Sequence, residues 1–344
     1  MKLYQTSKYL FNFICVLSIS IEVCHAQNNS DIYQKIQADS LHKSAFTDAS
    51  LRNPALRFVH ISTDLISSGD ILSTLNGKPL LNGNAKTVRT GIVLNLPVTN
   101  WGKNSLTASL SYFNQSLNIS EINWTDSQQG REILDFNRSS VGLSASFQRR
   151  DSLFGIPVFY LASVSGLTNN ASMLKKISYL GSAVFTFKQN KNTRFAAGLL
   201  LNIDPSVAVP VFPVISYWHE FNHKLELNLS LPSGVSLRKT ISDRLWATAG
   251  TTLSGSVSFV DLNFPGIPND VNYTTIDIKT GLGFEYKITK LFVAGINGGI
   301  LSPISARAFQ RNASTKDYFL DNRLGHVPYL NFSFSVLPFE RKKK

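Results

Sequence analysis

The sequence predicts an all-β chain, an antiparallel up-and-down transmembrane β-barrel of about 12 strands. Three observations carry this expectation. Segments such as SLTASLSYFN, SVGLSASFQ, ISYLGSAVFTFK, KLELNLSLPSG, TIDIKTGLGFEYKI and YLNFSFSVLPF alternate apolar and polar residues from residue 105 onward. A side-chain period of two is the mark of a strand with one apolar and one polar face. Charged residues make up only 16% of the 344 residues and hydrophobic ones 43%, whereas average soluble chains are about 25% charged. The third observation is a secretory pattern ahead of the strands.

That pattern opens with Lys2 and Lys8, continues through an apolar stretch over 10–21, and ends on Cys24-His25-Ala26 before Gln27. A basic start, a short apolar core and a small residue at the cut describe a cleavable signal, with cleavage after Ala26. A lipidated Cys24 is disfavoured, because Ile21-Glu22-Val23 stands where small uncharged residues are needed. Residues 1–26 are thus the signal, 27–54 a polar periplasmic lead-in with a short helix within 31–42, and 55–344 the barrel. Both cysteines, Cys15 and Cys24, fall in the signal, so the mature chain has no disulfide, thiolate metal site or cysteine nucleophile. No later segment reaches the roughly 20 apolar residues of a membrane helix. Lipid leaves no open sheet edge satisfied, so a membrane-inserted form must be a closed barrel.

Strands are predicted over 56–65 and 88–96, then, after a Gly-containing turn at 99–104, over 106–112. The polar stretch 115–136 reads as a long external loop. Further strands follow at 141–147, 157–166 (after a turn at 149–152), 177–187, 194–202, 212–218, 224–231, 235–241, 245–253, 257–262, 273–288, 291–300 and 327–339; with some merging, these give about 12. Trp101, Tyr112, Phe113, Tyr160, Trp218, Trp246, Tyr286 and Tyr329 stand near strand ends, where interfacial aromatic girdles belong. Ser, Thr, Asn and Gly dominate the polar faces, as a wet lumen tolerates.

Charged residues on those polar faces are the candidate lumen-lining set: Arg89, Glu226, Arg238, Asp277, Lys279, Glu285 and Lys287. A Lys or Arg facing lipid at the midplane costs about 2–4 kcal/mol, so they should point inward or lie at the rims. They either line a pore or form a paired network that fills a narrow barrel. His219-Glu220-Phe221-Asn222-His223 is a literal H-E-x-x-H. Zinc proteases need that motif on a helix, with both His on one face and Glu as base. Here strands flank it, so a hairpin turn is the expectation, and His219 and His223 are left only as incidental metal ligands. No catalytic residues and no cofactor are expected.

The net charge of +12 is scattered, apart from the terminal run Arg341-Lys342-Lys343-Lys344, and does not form the patch that nucleic-acid binding requires. The partners expected are outer-membrane lipid and lipopolysaccharide, the barrel-assembly machinery and a small solute, with no nucleic acid.

Two segments carry a resemblance to a known family. PVISYWHEFNHKLELNLSLPSGVSLRKTISDRLWATAGTTLSGSVSFV, with Leu225, Leu227, Leu229, Leu231 and Pro232 in alternation and Leu245-Trp246 opening the next strand, resembles a family of uncharacterised Gram-negative outer-membrane barrels known only as a domain of unknown function. LNLPVTNWGKNSLTASLSY is similar to that family's early hairpin. The resemblance implies a barrel fold and an outer-membrane location, and supplies no catalytic residue or substrate. The chain departs from the usual barrel end, since Phe339 is followed by Glu340 and the basic run. A narrow channel or structural envelope protein is the first expectation. A barrel hydrolase using His219, Glu220 and His223, and a secreted β-sandwich binding protein, are the alternatives.

Overall fold

The computed structural model describes residues 50–125, 132–169, 174–204, 210–260, 271–311 and 313–338. The expected signal, the helix within 31–42 and residues 339–344 lie outside the described residues. A short 3-10 turn, Pro54–Leu56, is capped by the Asn53 side chain, which accepts from the Ala55 amide at 3.1 Å. The wall then runs through β1 (Val59–Leu75), β2 (Lys78–Trp101), β3 (Asn104–Trp124), β4 (Leu134–Leu153), β5 (Ile156–Thr168), β6 (Lys176–Gln189), β7 (Thr193–Ile203) and β8 (Val211–Phe221). It continues through β9 (Leu225–Leu231), β10 (Gly234–Ser242), β11 (Leu245–Val260), β12 (Val271–Lys287), β13 (Phe292–Gln310), β14 (Tyr318–Leu324) and β15 (Val327–Val336).

Each strand from β1 to β13 pairs antiparallel with the next, and β15 pairs with both β13 and β1, so the sheet closes into an up-and-down ring. Closure removes the edges that lipid would leave unsatisfied. Among the described residues fifteen strands occupy fourteen positions, because β14 and β15 follow one another between the same two neighbours, β13 and β1. The break at Gly325-His326 is bridged: the Gly325 amide donates to the Asp70 carbonyl at 2.9 Å, and His326 Nδ1 lies 2.8 Å from Ser302 Oγ. The expected count of about 12 is therefore too low. Among the described residues only 245–253 and the part of 257–262 up to Val260 merge, into β11, since the small polar residues between them keep the strand period.

Turn chemistry fixes two of the hairpins in which the chain reverses in two residues. Asn76-Gly77 (φ 50° and 77°) and Phe154-Gly155 (φ 53° and 77°) adopt consecutive left-handed conformations, the twist that joins adjacent strands without splaying them. The turn expected at 149–152 is instead the end of β4, where Asp151 accepts from Lys103 Nζ at 2.8 Å and Arg149 Nη2 at 2.6 Å. Its charges belong to a polar rim.

One end of the ring has short connections throughout, while the other has the longer ones at 125–133, 169–175, 204–210, 261–270 and 311–317. Strand lengths are uneven, from 24 residues in β2 to 7 in β9. The wall is therefore tall over β1–β4 and β11–β14 and low between them. Above the low side, β4 meets β11 across the barrel, with Ser140 Oγ donating to the Val257 carbonyl at 3.4 Å. The tall strands thereby enclose an upper chamber.

The outward face carries a continuous apolar band. Leu65, Leu110, Leu143, Val164, Leu199, Leu237, Leu282, Ile296 and Phe332 all stand exposed on it, Leu143 at 64% and Leu282 at 63%. A band that encircles the molecule exceeds any patch a water-soluble monomer keeps and matches the lipid belt of a membrane barrel. Aromatic residues mark its short-turn end, where Trp101 packs against Phe147 (6.1 Å between centroids) and Phe292 against Phe334 (5.6 Å).

Toward the long-loop end the two faces exchange character. In β3, Leu110 and Tyr112 point out; farther up, the outward positions become Asn114, Ser116 and Asn118, while Leu117 and Ile119 turn inward and are buried. Polar cross-strand bonds cover the outside there, Asn118 Nδ2 to Asp135 Oδ1 at 2.5 Å and Asn84 Nδ2 to Glu121 Oε2 at 2.6 Å. The stretch 115–136, expected as an external loop, is thus mostly wall: β3 runs to Trp124 and β4 starts at Leu134. Its polarity comes from a strand whose outer face meets water.

Candidate functional site: a layered lumen

The inward side chains form three layers from the short-turn end to the long-loop end. In the lowest, the segment before β1 turns into the barrel. The Arg57 side chain is buried and its guanidinium meets Glu285 of β12 at 2.8 Å, Ser335 Oγ of β15 at 3.1 Å and the Ser50 carbonyl at 3.0 Å. Arg52 reaches Glu226 of β9 at 3.0 and 3.3 Å and lies 5.2 Å from the Trp218 ring, whose Nε1 donates to the same Glu226 at 3.1 Å. Arg238 stacks over Trp246 at 4.9 Å. Residues 50–57 are thus fastened to β9 at one end and to β12 and β15 at the other. Residues 50–54, the end of the polar lead-in expected over 27–54, stand in the lower lumen with Arg57.

In the middle layer Arg89 of β2 donates to Asp277 of β12 at 2.5 Å, and Asp277 is only 1% exposed. Two residues along β12, Lys279 bonds Asp64 of β1 at 2.5 Å, and Asp64 also accepts from Asn331 at 2.8 Å. Alternation places Glu285, Lys279 and Asp277 on one face of β12, so a single strand supplies three of the pairs. Burying a charge is tolerated only when paired and hydrogen-bonded, and both conditions hold here.

The opposite wall is chemically different. Ser146 of β4 bonds Ser163 of β5 at 2.9 Å, and Ser165 faces Ser178 of β6 at 2.7 Å. These inward serines, with Ser144 and Ser182, are all half-buried rather than buried. The lumen thus has a dry ion-paired side and a serine side with accessible surface.

The highest layer is the chamber between the tall strands. Its wall is mainly apolar, including Ile71, Leu81, Leu117, Ile119 and Leu134 packed together. Arg138 enters it from β4 and stacks on Tyr273 at 3.9 Å, while Asn322 Nδ2 donates to the Tyr273 hydroxyl at 3.0 Å.

The structure thus brings Arg89, Asp277, Lys279, Glu226, Arg238 and Glu285 into the lumen; Lys287 shares the face of Glu285 at the rim, with no ion pair among the described residues. Four functional groups were missed. Asp64 was legible, since His60, Ser62 and Asp64 alternate with the outward Ile61 and Leu65. Arg138 lies between the expected loop 115–136 and the expected strand 141–147, in a stretch given to neither. Arg52 precedes the first expected strand, 56–65, and Arg57 lies at its start, on the same parity as the outward Ile61 and Leu65.

His219-Glu220-Phe221-Asn222-His223 is the end of β8 and a one-turn reversal at Asn222–Lys224. His219 sits between Tyr217 and Phe221 on one face, its ring 6.3 and 4.5 Å from theirs, and its Nδ1 lies 2.9 Å from Thr193 Oγ1. Strand alternation sends Glu220 to the other face with Trp218, and His223 is in the turn, so the motif's residues diverge. Trp218, Trp246 and Tyr329, expected in an aromatic girdle, point inward instead: Trp218 and Trp246 contact the lower-layer charges and Tyr329 stands 5.6 Å from Lys279 Nζ.

A family profile described as a domain of unknown function (DUF6268) matches residues 158–336. The chain belongs to this family. The matched DUF6268 region includes the segment 213–260 and leaves the early hairpin, 94–112, outside it. No curated protein matches the chain. Among solved structures, it is similar to an outer membrane channel from Pseudomonas putida F1 (9% identity, TM-score 0.33, covering 81% of this chain and 94% of that one). It is also similar to a Pseudomonas aeruginosa FadL homologue (12%, 0.35, 84% and 93%), and to the translocator domain of the autotransporter NalP from Neisseria meningitidis (11%, 0.29, 89% and 97%).

Proposed function

We propose that this DUF6268 protein is a narrow channel for small solutes in the outer membrane of a Gram-negative bacterium. The observation that carries the reading is the asymmetric lumen: buried ion pairs hold one wall shut, while the serines of β4, β5 and β6 keep accessible surface beside them. The apolar outer band supports the membrane setting, and long loops at one end with short turns at the other support an orientation with the long loops outside.

Planar lipid bilayers test it. The purified protein is expected to give small, discrete conductance steps. Ser146→Trp, which places a bulky ring on the serine wall, is expected to lower the step size several-fold. Arg52→Ala, which frees the pre-barrel segment from Glu226, is expected to raise it. Silence from fully inserted protein would overturn the channel reading and leave a filled structural barrel.

A further inference from the structure

The upper chamber is at odds with the rest of the lumen. Below it the inward face is serine and ion pairs; inside it the lining is Leu80, Leu81, Leu117, Leu134, Phe136 and similar side chains, around about 840 Å³ of free space counted out to its mouth. A barrel gains nothing for transport of polar solutes by making this stretch apolar. Nor is the chamber needed to meet lipid, because the outward face at that height is Asn and Ser. Its lining, apolar with a few convergent polar groups, is that of a small-molecule site.

One charged group interrupts the apolar lining. Arg138 is 4% exposed, stacks on Tyr273, and has no carboxylate partner among the described residues; its Nε makes no hydrogen bond. The other buried arginines of the lumen have acids beside them: Arg89 pairs with Asp277, Arg57 with Glu285, and Arg238, stacked on Trp246, stands opposite Glu226 of β9. A buried guanidinium with no acid opposite it is costly, and its fork of donors suits a carboxylate-like anion. Asn322 and the Tyr273 hydroxyl add polar atoms beside it.

From this combination we infer that the chamber binds an amphiphile, an apolar molecule with a single anionic head, the chain lying among the leucines and the head against Arg138. The inference deepens the channel reading by naming a molecule class for its outer end, and rests on that reading for orientation alone.

The test uses the full barrel in phosphatidylcholine nanodiscs, with decanoate and decan-1-ol titrated calorimetrically at pH 8 and the signal of empty discs subtracted. Decanoate is ionised there, and the two probes differ only in the head. The barrel is expected to bind decanoate at least about tenfold more tightly than decan-1-ol, the value of one buried charge-assisted bond. Arg138→Gln should bring that ratio close to one while leaving decan-1-ol binding in place, and Leu134→Trp, which fills the chamber, should weaken both. Equal affinities in the unaltered protein, a ratio that survives Arg138→Gln, or no binding beyond empty discs would each overturn the inference. The unaltered protein alone decides the first and third outcomes, so a variant that fails to fold does not block the test. Decanoate binding by a barrel silent in planar bilayers would overturn the channel reading and leave the site standing.

Discussion

Asp277→Ala is expected to destabilise the barrel by about 3–5 kcal/mol, the cost of leaving a buried charge without its partner. The orphaned group would be Arg89, itself buried on β2 within the same ion-paired side of the lumen. Arg89 is only 8% exposed, so its charge would be left largely out of contact with solvent. Urea unfolding of the protein in mixed micelles, followed by the loss of its heat-modifiable folded band, reads the change. The double variant Arg89→Leu/Asp277→Leu is expected to recover most of it, since apolar residues of similar volume can replace a buried pair at little cost. A single variant as stable as the unaltered protein would show that the pair is hydrated and that the dry side of the lumen is wet.

Leu143→Arg carries the second large effect, about 2–4 kcal/mol against insertion and stability, because it places a guanidinium on the lipid face near mid-height. Leu143 lies opposite Leu110 in the β3–β4 ladder, and both stand exposed in the apolar band. The companion Ser116→Arg is on the outward face of β3 above that band and is expected to change stability by no more than about 0.5 kcal/mol. Folding into vesicles of defined lipid, assayed by protease protection and urea titration, separates the two. Equal costs at both positions would place the lipid boundary above Ser116 and undo the exchange of faces described for β3.

The sequence shows the alternation but not the solvent on either side of it. Over 106–112 the reading is sound, with Leu106, Ala108, Leu110 and Tyr112 sharing the outward side. Past Asn114 the same period persists with its chemistry reversed, and a rule that equates polar with loop loses 115–124. The β12 charges were legible because Asp277, Lys279 and Glu285 fall on one parity of a clear strand. Their partners were not assigned: Asp64 is more than two hundred positions away, and the pairing exists only once the ring closes. Arg52 offered no signal, since a segment held by side-chain contacts needs no period, while Arg57, inside the expected strand 56–65, shares the parity of the outward Ile61 and Leu65 yet turns inward. The absence of a helix around His219 was legible from the flanking strands, and the divergence of its motif follows from that alone.

The closing strand has a consequence for how this molecule is put together. Every joint in the wall from β1 to β13 links neighbours in sequence, so each hairpin can form from contacts close along the chain. The last joint is different: Val59 lies against Val336, the Phe58 amide donates to the Val336 carbonyl at 2.9 Å, and Arg57 donates to Ser335 across a separation of 278 residues. Contacts that distant are slow to find, so this joint is expected to be the last to form. Its two halves, β14 and β15, meet β1 on either side of Gly325-His326 and form separate zippers. The same residues 50–58 that fill the lower lumen sit at one end of that joint, so the segment serves as a latch on the ring as well as a stopper within it.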